Sequence, residues 1–137
     1  MKPLKKIQKI IDKADIALYA DVSGDRNPIH IDEEFAANSH FGSVVAHGML
    51  ILAYVSEMLQ GAFGINWLET GKLRVRFKKP AYLGNRVHTE GKILDIKSNS
   101  CHELVSCSVS LIDSDTGEEI ITGKASVKIT KEDVKNG

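Results

Sequence analysis

The sequence predicts an α+β fold in which a curved antiparallel sheet of about five strands wraps around one long apolar helix. Two observations predict this arrangement. Residues 44–59 are almost wholly apolar and carry a single charge, at Glu57. Residues 72–129 then contain four segments in which apolar and polar side chains alternate. A helix that is apolar nearly all round must be buried, and a sheet with one apolar face can bury it.

Size and composition indicate one globular unit. The chain has 137 residues, and we expect residues 1–137 to form a single domain. Its 18 basic residues balance its 18 acidic ones, so no overall field favours nucleic acid or an anionic membrane. The basic N-terminus leads into no signal-peptide core, and no apolar run has membrane-spanning length, so we expect a cytoplasmic protein.

The two cysteines are predicted not to bridge each other. Cys101 and Cys107 fall on one predicted strand and, if it is extended, lie about 20 Å apart. That separation is far beyond the reach of a disulfide. We therefore expect two reduced thiols, both packed.

The first elements along the chain are short. Residues 4–11 mix isoleucines with lysines, which suits a short strand or a lead-in. Asp12 is a suitable N-cap for a helix over residues 13–22, which the Ser-Gly pair ending at Gly24 then stops. This helix leads the chain into a loop.

Two further helices are predicted before the sheet. Asp32 can cap a helix of one to two turns over residues 33–38, whose acidic first turn complements the helix dipole. The apolar residues 44–59 form the long central helix, because Leu, Met and Ala dominate at this length. Gly61 is placed to cap the C-terminal end of that helix.

The alternating segments predict the strands. They occupy residues 72–80, 86–96, 101–112 and 121–129. Short polar turns separate them, so we expect an antiparallel meander in chain order, with one apolar face on which the helix lies. With the N-terminal segment added, the sheet has about five strands.

Residues 23–30, Ser-Gly-Asp-Arg-Asn-Pro-Ile-His, are predicted to form a bent loop. Pro28 keeps Asn27 out of the α region and removes one backbone donor, so this segment is not expected to be regular helix. Asp25 and His30 are side chains that can share one water as acid and base. The alternative is an Asx turn that carries a hydrogen-bonded surface histidine.

These residues resemble the MaoC-like, or hydratase-2, branch of the hotdog fold, which includes the (R)-specific enoyl-CoA hydratases. The resemblance rests on Gly-Asp-x-Asn-Pro-x-His at residues 24–30 and His-Gly-Met at residues 47–49. It extends over about residues 12–96, including Leu-Arg-Val-Arg-Phe at residues 73–77. Members often have Asp where this chain has Asn85, in a surface turn where we expect little effect. The resemblance implies a single hotdog domain.

The resemblance also implies an activity. It is the reversible addition of water to trans-2-enoyl thioesters, giving (R)-3-hydroxyacyl thioesters, by a hydro-lyase of fatty acid metabolism. No cofactor is expected, because coenzyme A is part of the substrate. The expected partners are an acyl-CoA or acyl-carrier-protein thioester and a second copy of the chain in a homodimer. A thioesterase and a non-catalytic acyl-thioester binding module are the alternatives.

The same resemblance assigns roles to residues of this chain. Asp25 and His30 are the catalytic pair around one water, and the backbone N–H of Gly48 is the oxyanion donor. Gly48 lies in the predicted long helix near its start, where unpaired N–H groups and the positive dipole end favour an anion. Asn27 and Ser56 are implied to orient the pair. Which of the two groups is base and which is acid stays open, because a coupled pair titrates as a unit.

Other polar residues have two interpretations. Four cations could meet the phosphates of coenzyme A or simply form a solvated strand face: Arg74, Arg76, Lys78 and Lys79. His47 is expected to be a hydrogen-bonded structural residue at the helix start. No metal site is expected, since Asp25, His30, His40 and His47 show no recognised ligand spacing. Trp67, with Phe63, Ile65 and Leu68, could line an acyl pocket, pack internally or meet another subunit.

Overall fold

The computed structural model describes residues 2–131, which form five strands and five helices. In chain order these are β1 (Gln8–Ile10), α1 (Lys13–Ser23), α2 (Pro28–Ile31), α3 (Glu33–Ala37), α4 (Gly48–Phe63), α5 (Ile65–Thr70), β2 (Lys72–Phe77), β3 (Arg86–Ser98), β4 (His102–Asp113) and β5 (Glu119–Thr130). None of the helices described is long and apolar enough to cross a membrane.

The strands form one antiparallel sheet in the order β1-β3-β4-β5-β2. Its inner face carries the alternating side chains that the pattern predicted. On β4, for example, Val105, Val109 and Leu111 are buried, and on β5 Val127 is buried in the same way. Helix α4 contacts β3, β4 and β5 on this face and contributes Val55 to the common core. The α+β class and the five-stranded sheet around a long helix are confirmed.

The predicted strand order is wrong in one place. Strands β3, β4 and β5 do form a meander, but β2 pairs with β5 instead of β3, with Lys72 opposite Ser126 and Phe77 opposite Ile121. The reason lies in the connection after β2. There Ala81 O accepts from Ala46 N at 2.8 Å, and Tyr82 forms a bridge with Val45. This pairing leads the chain away from β2, so β3 begins beside β1 at the other side of the sheet.

The predicted limits of the central helix are also wrong. Helix α4 begins at Gly48 instead of residue 44, because the apolar residues 44–46 are extended and bonded to the segment after β2. It continues through Gly61 and is capped by Gly64, which has φ of 57°. A left-handed φ is the conformation that glycine adopts at little cost, so Gly64 takes the role that we assigned to Gly61.

The two shorter helices begin where the caps predicted. The Asp12 side chain accepts from Asp15 N at 2.7 Å, and the Asp32 side chain accepts from Phe35 N at 3.0 Å. The prediction that residues 23–30 contain no helix is wrong, since α2 begins at Pro28. At the first position of a helix the missing N–H of proline costs nothing, because that group would have no helical partner.

The cysteines are both free, as expected, but only one is packed. Cys107 is buried on the inner face of β4, and burial raises the pKa of its thiol. Cys101 is exposed and precedes the first residue of β4. The prediction of a packed thiol is therefore wrong for Cys101, because the turn before β4 extends one residue further than the pattern suggested.

Candidate active site

The loop between α1 and α2 is shaped by its own short polar side chains. Ser23 Oγ accepts from Asp25 N at 3.1 Å, and Asp25 Oδ1 accepts from Asn27 N at 3.2 Å. Asn27 Oδ1 in turn accepts from Ile29 N at 3.2 Å and so caps α2. Gly24, with φ of 80°, turns the chain out of α1 at the start of this series. The bend therefore follows from residue types that bond to their own backbone.

His30 is held in one orientation by the backbone. Its Nδ1–H donates to Val45 O at 2.7 Å, because a carbonyl oxygen can only accept. In the neutral ring Nε2 is then the nitrogen without a proton, and it lies 3.9 Å from Asp25 Oδ2. The His30 side chain is 13% exposed and that of Asp25 is 52% exposed. A fixed imidazole thus faces a carboxylate that solvent can reach.

His47 lies behind this pair. It is 2% exposed and immediately precedes α4, and its Nε2–H donates to the backbone oxygen of Asp25 at 2.9 Å. Its ring stacks on that of His30, with centroids 4.0 Å apart and an angle of 26° between the rings. The ring of Tyr19 is 4.8 Å from it. The hydrogen-bonded histidine expected at the helix start is confirmed.

Gly48 is the first residue of α4 and follows His47 directly. The first N–H groups of a helix have no acceptor within the helix, so that of Gly48 is available to a ligand. The Phe77 ring lies beside it: a Cβ placed on Gly48 would be 3.4 Å from the nearest ring carbon. Within one residue, the chain thus passes from a ring that contacts Asp25 and His30 to a backbone N–H that has no acceptor within its own helix.

The two predicted supporting residues occupy different places. Asn27 caps the helix that carries His30, which is a route by which it can orient the pair. The Ser56 hydroxyl, two turns along α4 from Gly48, accepts a hydrogen bond from Trp67 Nε1 at 3.0 Å. The orienting role of Ser56 stays a prediction. Trp67 itself is 8% exposed and belongs to the core, whereas Leu68 is 61% exposed.

The predicted phosphate-binding cations lie along β2 and just after it. Arg74 and Arg76 are exposed on the face of the strand opposite the partly buried Leu73 and Val75. Lys78 and Lys79 follow the strand, and Lys79 forms an ion pair with Glu118. Binding of phosphate by these four residues stays a prediction.

Three potential metal ligands come together in the fold. One ligand atom each from Asp25, His30 and His47 lie within 4.8 Å of one another. Spacing along the chain gave no sign of this group, because His47 reaches it through the fold. Ligand atoms about 2.0 Å from a tetrahedral zinc ion would lie roughly 3.3 Å apart. The His47 Nε2–H also already donates to a carbonyl oxygen. The group as it stands is arranged for hydrogen bonding and stacking.

An apolar cavity of about 70 Å³ borders the His30 ring. It is lined mainly by aliphatic side chains of α1, α2 and the segments bonded to them: Ile16, Ala17, Ile31, Val44 and Leu83. Lys13 and Glu33, which form an ion pair, also contribute to its wall. An apolar group can therefore be accommodated next to the imidazole.

Two contributors to the site were not found from the sequence. The Val45 carbonyl fixes the His30 ring, and the Tyr19 ring contacts His47. Every residue type supplies the same backbone carbonyl, so the sequence could not have identified Val45 as the acceptor. Tyr19 lies within the stretch of resemblance before the loop, but only the fold shows which ring it meets.

Known proteins resemble this chain in sequence along most of its length. Residues 1–115 match the family model described as a MaoC like domain. The chain is 30% identical over 131 residues to a 3-hydroxybutyryl-CoA dehydratase of Methylorubrum extorquens, covering 93% of this chain and 78% of that protein. It is 29% identical over 125 residues to an (R)-specific enoyl-CoA hydratase of Aeromonas caviae, covering 90% of each.

A solved structure shows the same architecture. The (R)-hydratase from A. caviae involved in PHA biosynthesis superposes with a TM-score of 0.78 at 25% identity, covering 91% of this chain and 92% of that one. The family match, the shared architecture and the Asp25, His30 and Gly48 motif residues agree with one another. The chain belongs to the MaoC-like domain family.

Proposed function

We propose that this protein is a hydro-lyase that adds water reversibly to trans-2-enoyl thioesters and gives (R)-3-hydroxyacyl thioesters. The observation that carries the proposal is the 3.9 Å separation between His30 Nε2 and Asp25 Oδ2, with the imidazole fixed by Val45. This separation is too long for a direct hydrogen bond and suits two groups that share one water, at about 2.8 Å from each. The activities after which the two relatives are named support the same chemistry.

The proposed reaction needs only proton transfer. One member of the pair takes a proton from the water, whose oxygen then forms a bond to C3 of the enoyl group. The C2=C3 π electrons move towards the thioester and place negative charge on its oxygen. The pair delivers a proton to C2 as the carbonyl reforms, and the proton taken from the water restores the group that gave it, so the water supplies both the OH on C3 and the H on C2. Positioned acid and base groups each contribute about 10²–10⁴ in rate to such steps.

In this proposal the Gly48 N–H meets the charge on the thioester oxygen. A preorganised backbone donor at a helix start stabilises such charge strongly, because neither the group nor the dipole must reorganise during the reaction. Gly48 directly follows His47, whose ring bonds to the Asp25 backbone oxygen and stacks on His30, and this adjacency supports a donor close to the pair. The apolar cavity beside His30 supports binding of an acyl group.

Turnover of crotonyl-CoA tests the proposal. We expect loss of the enoyl absorbance and formation of (R)-3-hydroxybutyryl-CoA, identified by chiral analysis of the released acid. Release of free thiol without hydration would show a thioesterase instead. Binding without either product would show an acyl-thioester binding module. The same assay with an acyl-carrier-protein thioester distinguishes the two carriers.

We also propose that the protein is a homodimer. Within residues 2–131, strand β2 pairs on one side only, so its other edge offers backbone groups to a second copy. Phe77, near the end of this strand, is 48% exposed beside Gly48, which places the edge next to the site. Light scattering should give twice the chain mass of 15.0 kDa, and a clean monomer would contradict the proposal.

A further inference from the structure

His47 is a buried histidine, only 2% exposed, whose ring contacts both Asp25 and His30. We propose that His47 is a positioning residue, which holds Asp25 and His30 at their reacting separation without touching the substrate. This inference rests on the proposed hydration activity, and its test is designed so that the two can fail separately.

Hydrogen bonds connect the loop to the segment that precedes α4. Three bonds join residues 25–30 to residues 45–47: Val45 N to Ile29 O at 3.2 Å, His30 Nδ1 to Val45 O at 2.7 Å and His47 Nε2 to Asp25 O at 2.9 Å. The first two fix the His30 end of the loop. The third bond holds the Asp25 end, where the loop's own bonds to Ser23 Oγ and from Asn27 N also act. Among the three bonds between the two segments, the one that sets the place of Asp25 relative to residues 45–47 is therefore donated by the His47 imidazole.

The rings of Tyr19, His47 and His30 pack against one another in series. The His47 ring lies against one face of His30 at 4.0 Å, so His30 cannot tilt in that direction. The Tyr19 ring lies 4.8 Å from His47 and packs against it in turn. His30 is thus restrained through its Nδ1–H by Val45 and across its ring by His47. The ring at position 47 restrains the imidazole, and its Nε2–H restrains the Asp25 backbone that carries the carboxylate.

The buried imidazole of His47 carries a cost in folding free energy. His47 Nδ1 is buried and has no hydrogen-bond partner among the residues that the structure describes. A buried polar atom without a partner destabilises the folded state, so an aliphatic or phenyl side chain would pack here at lower cost. What the histidine adds over those side chains is the Nε2–H and its bond to Asp25 O. The buried ring therefore fits a role in holding the loop better than a role in packing alone.

The position of His47 in the chain extends the same role. It immediately precedes Gly48 and has φ of −58° and ψ of 136°, so its backbone sets the direction in which α4 starts. The donor proposed for the thioester oxygen and the ring that fixes the pair are adjacent residues. A displacement of His47 would shift the acid–base pair relative to that donor, and displacements of about 1 Å can cost 10²-fold in rate.

Two substitutions separate the bond from the ring. His47→Phe keeps an aromatic ring for stacking and removes the donor to Asp25 O. His47→Gln removes the ring and retains an amide N–H near the position of Nε2. His88→Phe and His88→Gln are matched controls, because His88 is a partly buried histidine that bonds to Ser114 and Glu90 on the sheet.

The measurements are steady-state kinetics with crotonyl-CoA and hydrogen–deuterium exchange of the peptide that contains residues 25–30. We expect His47→Phe to lower kcat by about 10 to 100-fold, with KM changed far less, and to speed exchange in residues 25–30. His47→Gln should recover most of the kcat and most of the exchange protection. The His88 variants should match the wild type in both.

Several results would overturn the role of His47. A folded His47→Phe protein with wild-type kcat and exchange would do so, as would a His47→Gln protein no better than His47→Phe in both measurements. If His47→Phe does not fold, the His47→Gln protein decides alone, by whether it keeps kcat within about tenfold. A wild-type protein that does not hydrate crotonyl-CoA would contradict the proposed function, while exchange in residues 25–30 would still judge the positioning role.

Discussion

The meander β3-β4-β5 and the segment from Ser23 to His47 are held in shape by different kinds of bond. The meander relies on continuous backbone pairing and on a face of buried apolar side chains. The segment around the loop relies on single side-chain atoms, such as Asp25 Oδ1, His30 Nδ1 and His47 Nε2. Another apolar residue can often replace a core residue at small cost, whereas a particular donor or acceptor has no substitute.

Because of this difference, we expect turnover and stability to depend on different parts of the molecule. Substitutions in the segment around the loop should reduce turnover while the core stays intact. Substitutions on the inner face of the sheet should reduce the free energy of unfolding while the folded fraction keeps its activity.

The largest effect is expected from the acid–base pair. Asp25→Asn and His30→Ala should each lower kcat for crotonyl-CoA by at least about 100-fold, because each removes a positioned proton-transfer group. The melting temperature should change little for Asp25→Asn, since Asp25 is exposed, and should fall for His30→Ala, which removes a mostly buried ring that bonds to Val45 O and stacks on His47. Near-wild-type turnover of either variant would contradict the proposed mechanism.

Gly48→Pro removes one N–H and little else. Proline is well tolerated at the first position of a helix, and His47 already has the extended backbone that precedes proline favourably. We expect kcat to fall by about 10²–10³, as when an oxyanion donor is removed.

Gly48→Ala is the control for the backbone donor. It retains the N–H, and its added Cβ meets the Phe77 ring at 3.4 Å, an ordinary contact distance. Its activity measures how far a side chain crowds the thioester, so the difference between the two variants measures the N–H. Equal activity of the proline and alanine variants would remove Gly48 from the mechanism.

A core substitution should have the opposite profile. Leu111→Ala on β4 removes a side chain with no exposure and should lower the free energy of unfolding by about 3 kcal/mol. The kcat of the folded fraction should stay within about twofold, because Leu111 belongs to the hydrophobic core and lies on β4, outside the loop.

Urea denaturation at 25 °C measures the change in stability. Ser110→Ala, on the opposite face of the same strand, is the matched control and should fall within about 0.5 kcal/mol of the wild type. A large loss of kcat in the folded Leu111→Ala protein would show that sheet and loop are not independent.

The smallest effect is expected at Tyr54, on the α4 side of the core. Its hydroxyl is buried without a partner among residues 2–131, and burial, with nearby carboxylates, raises its pKa from 10.0 to about 12. The unfolded chain therefore loses this proton first as pH rises. The stability that depends on the neutral phenol is fully present below pH 10 and is lost as pH rises towards 12.

Tyr54→Phe tests this pH dependence. The variant lacks the ionisable group, so the difference in unfolding free energy between it and the wild type should grow in favour of the variant between pH 10 and 12. At pH 7 the variant should be equal to the wild type or about 1 kcal/mol more stable, since it removes an unpaired buried hydroxyl. A constant difference from pH 7 to pH 12 would contradict the shifted pKa.

The sequence predicted those parts of the fold that depend on residues close together in the chain. Alternation identified the inner faces of the strands, and aspartate caps located the starts of α1 and α3. Alternation does not say which strand is the neighbour, so the pairing of β2 with β5 was missed. Residues 44–46 and α4 are equally apolar, and only the pairing of Val45 with Tyr82 separates them.

The candidate site was predicted to a similar extent. The spacing of Asp25 and His30 and the resemblance around them indicated which side chains should meet, and the structure places them 3.9 Å apart. The sequence did not indicate which contacts hold Asp25 and His30 in place. That depends on the Val45 carbonyl and on the ring of His47, and such contacts form only when residues far apart in the chain pack together.

The strand order also has a consequence for synthesis of the chain. Both edge strands find their partners late, with Gln8 opposite His88 and Lys72 opposite Ser126. Helix α4 therefore leaves the ribosome before any of the three strands that cover it, and it stays without its sheet until β5 has emerged. Since contacts between distant residues form slowly, the nascent chain exposes this apolar helix while residues 72–130 are being made. The loop that carries Asp25 and His30 is made before both the helix and the sheet.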